Sequence, residues 1–278
     1  MNVIFNKDWN HTIDDRVAIA LGSFDGIHKG HRQLIHFLNK IKREKNCKTM
    51  IYTFREHPMT IISPDNVPLR ITDNKQKTDI LEKLGIDFLV FNEFTSAFSR
   101  ASPQDFIDRY LMQKYNIDTI VVGYNFRFGS KGTGNAETLM ELGTTMGFDV
   151  IVVPPIELNG EIISSTKIRT FIEAGDVNKA AQFLGYPYAL RGKVIEGKGR
   201  GRVLGFPTAN LAYDKTKVIP KHGVYLTLTL IDDVFIWSLT NIGNNPTFRQ
   251  ESLCIETYLL GYSGDLYGIE IEVYFLER

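Results

Sequence analysis

The sequence predicts an α/β protein, with an N-terminal doubly wound parallel sheet followed by a small antiparallel β-barrel. Two patterns predict it. Over the first two thirds of the 278 residues, apolar β-branched runs alternate with amphipathic stretches, as in βαβ units that bind ligands at their C-terminal strand ends. From Gly185-Tyr186-Pro187 onward there is no long helical period, and short β-rich runs are punctuated by Gly, Pro, Asn and Asp. The boundary is set there, giving domains of residues 1–184 and 185–278.

The elements follow in order. The apolar run 17–21 reads as a strand. Residues 30–46 carry Leu34, Leu38 and Ile41 at helical spacing, with Lys40, Lys42, Arg43, Glu44 and Lys45 on the solvated faces. A strand is predicted at 48–54, a helix at 75–84 ending at Gly85, and a strand at 87–91. Residues 103–115 read as a helix with Pro103 at an early position. Strand 119–122, helix 135–146, strand 149–153 and a helix running to Ala174 complete the first domain. In the second, strands are predicted at 189–195, 223–231, 235–241, 253–260 and 269–276.

Composition sets limits. The chain is 43% apolar and 23% charged, ordinary for a globular protein with a large core. Its 32 basic residues balance 32 acidic ones, which argues against a nucleic acid or an acidic membrane as a bulk partner. The first ten residues do not read as a signal peptide, and no apolar run approaches a membrane span. The two cysteines, Cys47 and Cys254, lie far apart and outside any Cys-x-x-Cys pair, pointing to a reduced cytoplasmic protein rather than a zinc site.

Three stretches suit phosphate chemistry, and an aromatic loop lies between the first and the second. The first is GSFDGIHKGH at 22–31, between a strand and a helix. Glycines let the backbone approach phosphates, and the helix start offers N–H groups and a positive dipole end. His28 and His31 add donors at that start. GYNFRFG at 123–129 is a glycine-bounded aromatic loop after a strand, in which Phe126 and Phe128 suit a planar ring and Arg127 suits phosphate. The competing reading makes those aromatics a plug at the domain edge.

The second stretch is ISSTKIR at 163–169, preceding a helix. Ser165 or Thr166 serves there as N-cap, or the hydroxyls, Lys167 and Arg169 grip phosphates. The third, GKGRGRVLGFPTAN at 197–210, offers an anion nest plus Thr208 and Asn210 oxygens that suit Mg²⁺, and reads otherwise as a basic β-turn.

The His-x-Gly-His element looks like the signature of nucleotidyltransferases. Together with TFREHP at 53–58, GVY at 223–225, NIGNNPTF at 241–248, IETYLL at 255–260 and DLYG at 265–268, these stretches follow one family's order over nearly the whole chain. The sequence resembles the prokaryotic bifunctional riboflavin kinase/FAD synthetase family. The resemblance implies an N-terminal FMN adenylyltransferase making FAD from FMN and ATP, and a C-terminal riboflavin kinase barrel making FMN from riboflavin and ATP.

It implies roles as well. His28 and His31, with Gly22, Phe24, Asp25 and Gly30, hold the ATP phosphates, and Ser165, Thr166, Lys167 and Arg169 grip the triphosphate. Asn125, Phe126, Arg127, Phe128 and His57 fall on the flavin side. Thr208 and Asn210 bind nucleotide phosphate and Mg²⁺, and Glu256 is the kinase's base. FMN's phosphate is already anionic, so adenylyl transfer needs positioning and charge stabilisation, with Mg²⁺ assisting pyrophosphate departure. A ribityl hydroxyl does call for a base.

The sequence departs from the family's usual pattern at Tyr258, where a histidine is usual, and at Gly261, where an acid is usual. It ends at Glu277-Arg278, where members usually continue into a loop and helix over the flavin. The expectation is therefore FAD synthesis with weak or absent kinase activity. The alternatives are a fully bifunctional enzyme and a flavin-sensing or RNA-regulating protein.

Overall fold

The computed structural model describes residues 1–7, 11–197, 207–245 and 252–278. The chain forms two compact units, 1–68 with 72–163, and 69–71 with 164–278.

The first unit contains β1 (Asn2–Asn6), β2 (Ile13–Leu21), α1 (Lys29–Lys45), β3 (Lys48–Phe54), α2 (Met59–Ile62), α3 (Asn74–Lys83), β4 (Phe88–Asn92), α4 (Pro103–Asp105), β5 (Tyr115–Gly123), α5 (Ala136–Met146), β6 (Asp149–Val153) and a β7 (Glu157–Leu158) to β8 (Glu161–Ile162) hairpin. Six strands make one parallel sheet in the order β1-β4-β3-β2-β5-β6. β2 shows why the sheet is covered on both faces. Val17, Ile19 and Leu21 enter one core cluster and Ala18 and Ala20 the other, the two-sided burial of a parallel strand. α1 packs through Leu34, Ile35, Leu38 and Ile41.

The parallel sheet, with helices on both faces, is as predicted. Local differences have local causes. β1 pairs through its backbone with β4, although three of its five side chains are exposed and its sequence carries little strand signal. The predicted helix at 103–115 is a short α turn that widens into a π-helical segment, Phe106–Met112. That segment buries Phe106, Ile107 and Leu111, and Tyr115 is already in β5.

The second unit contains α6 (Ser165–Ala174), α7 (Val177–Leu184), β9 (Ala189–Ile195), β10 (Thr208–Tyr213), β11 (Gly223–Ile231), β12 (Val234–Asn245), β13 (Ser252–Leu259) and β14 (Glu270–Glu277). The six strands close into an antiparallel barrel, β10-β13-β12-β11-β14-β9, as predicted apart from the unforeseen β10. Alternation sends Ile255, Thr257 and Leu259 to the buried side of β13 and Cys254, Glu256 and Tyr258 to the other. The barrel also buries hydroxyls. Thr227 Oγ1 lies 2.8 Å from Ser238 Oγ and 2.9 Å from Thr240 Oγ1, which lies 3.0 Å from Thr257 Oγ1.

Among the described residues, no helix is long and apolar enough to cross a membrane.

Candidate functional site

The order of the parallel sheet reverses direction between β2 and β5, because β3 adds on one side of β2 and β5 on the other. Ligands of doubly wound sheets bind in the crevice at such a point, beyond the C-terminal strand ends. The loops at 22–28 and 123–129 leave those ends of these two neighbouring strands.

The first loop is held in an uncommon shape. Phe24, Gly26 and Ile27 have φ of 48°, 82° and 34°. Left-handed backbone at a non-glycine residue costs on the order of 1–3 kcal/mol and persists only where surroundings enforce it. Phe24 and Ile27 are fully buried, which supplies that enforcement. Asp25 Oδ1 accepts from the Thr72 amide at 3.1 Å, and Thr72 Oγ1 accepts from the Gly26 amide at 3.0 Å. Asp25 is thus buried inside the loop as a shaping group.

His28 is the N-cap of α1, its Nδ1 accepting from the His31 amide at 3.3 Å. A neutral imidazole that accepts at Nδ1 carries its proton on Nε2, so that edge is a donor. The two imidazoles stack with centroids 3.7 Å apart. Gly30 makes room for them, since a Cβ there would meet His28 Cε1 at 3.0 Å. Burial drives the His31 pKa well below the ordinary histidine range, and the neighbouring His28 ring and the Lys77 ammonium push the same way. His31 is therefore neutral at pH 7, and its Nδ1 is buried with no hydrogen-bond partner among the described residues. Gly22, whose amide bonds the Tyr52 carbonyl at 3.3 Å, would crowd the Phe24 ring if it carried a Cβ.

The sequence reading passes over Lys77. This α3 residue is buried, and its Nζ donates to the Ser23 carbonyl at 2.7 Å, inside the loop. A signal existed: Lys77 lies one turn before buried Leu81 on the inward helix face.

In the second loop, Asn125 and Arg127 are exposed and Phe126 is half-buried. Phe126 stacks on Phe128 at 5.6 Å, and Phe128 is buried against Phe106. Phe128 thus plugs the core while its neighbours stay accessible. His57, after β3, accepts from the Met59 amide at 3.2 Å through Nδ1 and turns the chain into α2.

In the second unit the N-cap of α6 is Ser164, not Ser165 or Thr166. Its Oγ accepts from the Lys167 amide at 3.3 Å, so Ser165 and Thr166 occupy the first helical positions, where amides project along the axis. Arg169 Nε donates to the Leu69 carbonyl at 2.6 Å.

On the barrel, Asn210 pairs with Glu256 and Thr208 with Tyr258 across β10 and β13. All four share the face opposite buried Ala209, Leu211, Ile255 and Thr257. Cys254, also unforeseen, places its Sγ 3.1 Å from Asn210 Oδ1 and 3.6 Å from Glu256 Oε1. Gly197 packs so closely on the Asn210 amide that a Cβ would collide with it. Side-chain oxygens on one face fit Mg²⁺, which needs few protein ligands when nucleotide phosphates supply others. The glycine-basic run 198–206 and residues 246–248 of NIGNNPTF lie outside the described residues.

Two family models match the chain: FAD synthetase over residues 10–167 and riboflavin kinase over residues 184–278. A bifunctional riboflavin kinase/FMN adenylyltransferase from Listeria monocytogenes is 36% identical over 97% of this chain and 85% of the relative. One of the same name from Bacillus subtilis is 34% identical over 97% of this chain and 87% of its own. A crystal structure described as a macrolide-efflux protein from Streptococcus pneumoniae superposes with a TM-score of 0.91 at 34% identity, covering 100% of this chain and 91% of that one.

Proposed function

We infer that this chain, which belongs to the bifunctional riboflavin kinase/FMN adenylyltransferase family, runs both reactions, phosphorylating riboflavin to FMN and adenylylating FMN to FAD. It is an FMN adenylyltransferase by family, and the observation that carries the chemistry is the loop at 22–31. There a neutral His31 with an orphaned buried nitrogen, the Nε2 edge of His28 and the amides of a 17-residue helix converge. Such donors bind phosphates and stabilise charge that develops on them.

In adenylyl transfer an FMN phosphate oxygen attacks the α-phosphorus of ATP, the bond to the bridging oxygen breaks, and pyrophosphate leaves with the electron pair. No proton needs to move, so the chain's part is alignment and charge stabilisation. We assign that part to His28 and His31, supported by Gly22, Phe24, Asp25 and Gly30, which shape the loop. Ser165, Thr166, Lys167 and Arg169 at the α6 start are the second phosphate element. Asn125, Phe126, Arg127 and His57 are assigned to the flavin, with Phe128 as the packing beneath them.

For the kinase, the ribityl hydroxyl attacks the γ-phosphorus of ATP, Glu256 takes its proton and ADP leaves. The grouping of Thr208, Asn210 and Glu256 on one barrel face supports this assignment. Thr208 and Asn210 would hold Mg²⁺, which would neutralise phosphate charge. The bifunctional alternative is favoured over weak or absent kinase activity. A riboflavin kinase model matches the whole barrel, and the relatives named above carry both activities in their names. The working boundaries remain 1–184 and 185–278, the partners are flavins and ATP, and the location is the cytoplasm, a reading supported by two cysteines that form no disulfide.

The test is stoichiometry. Purified protein given FMN and Mg-ATP is expected to release one pyrophosphate per FAD formed. ADP in place of pyrophosphate, or no turnover of FMN, contradicts the adenylyltransferase assignment.

A further inference from the structure

We propose that Lys77 is a positioning residue of the adenylyl-transfer loop: its buried ammonium anchors the Ser23 carbonyl from beneath and holds a fixed positive charge under the phosphate site. The inference rests on the reading of that loop as the adenylyl-transfer site.

Three observations carry it. The first is the placement. Lys77 reaches from α3 to the C-terminal ends of β3 and β4, where its Nζ lies 2.7 Å from Ser23 O and 3.5 Å from Thr53 Oγ1, and 5.8 Å from the Phe91 ring centroid. The second is the anchor. The Ser23 carbonyl also accepts from the Thr53 hydroxyl at 3.0 Å, so two donors from different elements fix the residue preceding the left-handed turn at Phe24. The third is burial. Lys77 is only 5% exposed. An ammonium taken out of water is costly, and its field is screened less than at a surface.

A fixed cation there does two things. It favours the approach of the anionic triphosphate. It also opposes protonation of His31, whose pKa is lowered chiefly by burial, then by His28, then by Lys77. Among the described residues, the titratable groups that act on that imidazole are His28 at the head of α1 and Lys77 from α3, while the Asp25 carboxylate of the same loop is engaged by Thr72. A neutral His31 keeps one ring nitrogen as an acceptor and the other as a donor, so it bonds a phosphate oxygen in a defined orientation. An imidazolium would lose that distinction.

The experiment follows the imidazole of His31 by NMR in the unliganded full chain, its resonance identified by its absence in His31→Gln. The wild type is expected to titrate well below the ordinary histidine range. Lys77→Met is expected to move the titration upward, and Lys77→Arg, which keeps the charge, to leave it low. In parallel, Lys77→Met is expected to raise the KM for ATP at least tenfold with a smaller change in kcat. His31 titrating at its ordinary value in the wild type overturns the proposal, and so does a folded Lys77→Met whose His31 titration is unmoved. If Lys77→Met does not fold, Lys77→Gln, which keeps an amide donor without the charge, takes its place, and an unmoved His31 titration there overturns the proposal equally. Failure of the wild type to make FAD overturns the functional reading instead, and the titration, which needs no activity, still reports the Lys77–His31 linkage.

Discussion

His28 does two jobs in this account, and one pair of substitutions separates them. As N-cap it accepts the His31 amide at 3.3 Å. As a phosphate donor it offers Nε2. His28→Ala removes both. Loss of a cap costs about 1 kcal/mol, and for a unit of this size that lowers Tm by roughly 2–4 °C. His28→Asn restores a side-chain oxygen that can accept the same amide, so most of that loss is expected to return. Neither variant has the imidazole N–H. Loss of one preorganised donor to developing charge costs ~10²–10³-fold in rate, or about 2.7–4 kcal/mol. Both variants are therefore expected to lose kcat/KM for FAD formation by that factor, while only His28→Ala melts early. Thermal unfolding and steady-state turnover of FMN measure the two quantities. If His28→Asn turns over within a few fold of the wild type, capping was the whole role and the phosphate assignment is wrong.

Three further outcomes are expected. Glu256→Gln abolishes riboflavin phosphorylation and leaves FAD formation from FMN unchanged, as separate assays on the two flavins would show. Thr227→Val removes one partner each from the buried hydroxyls of Ser238 and Thr240, which keep Thr229 and Thr257, and should cost about 0.5–1.5 kcal/mol in denaturant unfolding. Burial alone would raise the Asp87 pKa, but bonds from Lys42 and Thr49 outweigh it and hold the carboxyl low. Its stabilisation is present above the unfolded-state pKa and lost as pH falls through the lower folded value. Asp87→Asn should therefore be less stable than wild type at pH 7, with the gap closing in acid.

The fold was legible where burial dictated pattern. The apolar runs of β2, β3 and β6 and the alternation of β11 carry the strand signal. What stayed hidden depended on partners distant in sequence. β1 is a strand because β4 offers it a backbone, and β10 lies behind a run rich in glycine and arginine. Within the site, the histidines at a strand–turn–helix junction were visible because phosphate chemistry calls for donors there. The capping role of His28 was not, because it depends on the ring folding back over Gly30. Lys77 escaped notice because a helical lysine is ordinarily solvated, and only the packing of α3 turns this one inward. Ser164 took the cap that Ser165 or Thr166 was expected to fill, a shift of one or two residues that changes which hydroxyls stand at the helix mouth.

The claim that one chain performs both steps is tested most directly by a time course. The 278-residue chain is incubated with riboflavin and Mg-ATP, and the flavins are separated by chromatography. FMN is expected to appear first and FAD to follow at its expense, and FMN supplied alone should yield FAD. If riboflavin persists unchanged while FMN is converted, the barrel does not act as a kinase and the bifunctional account fails.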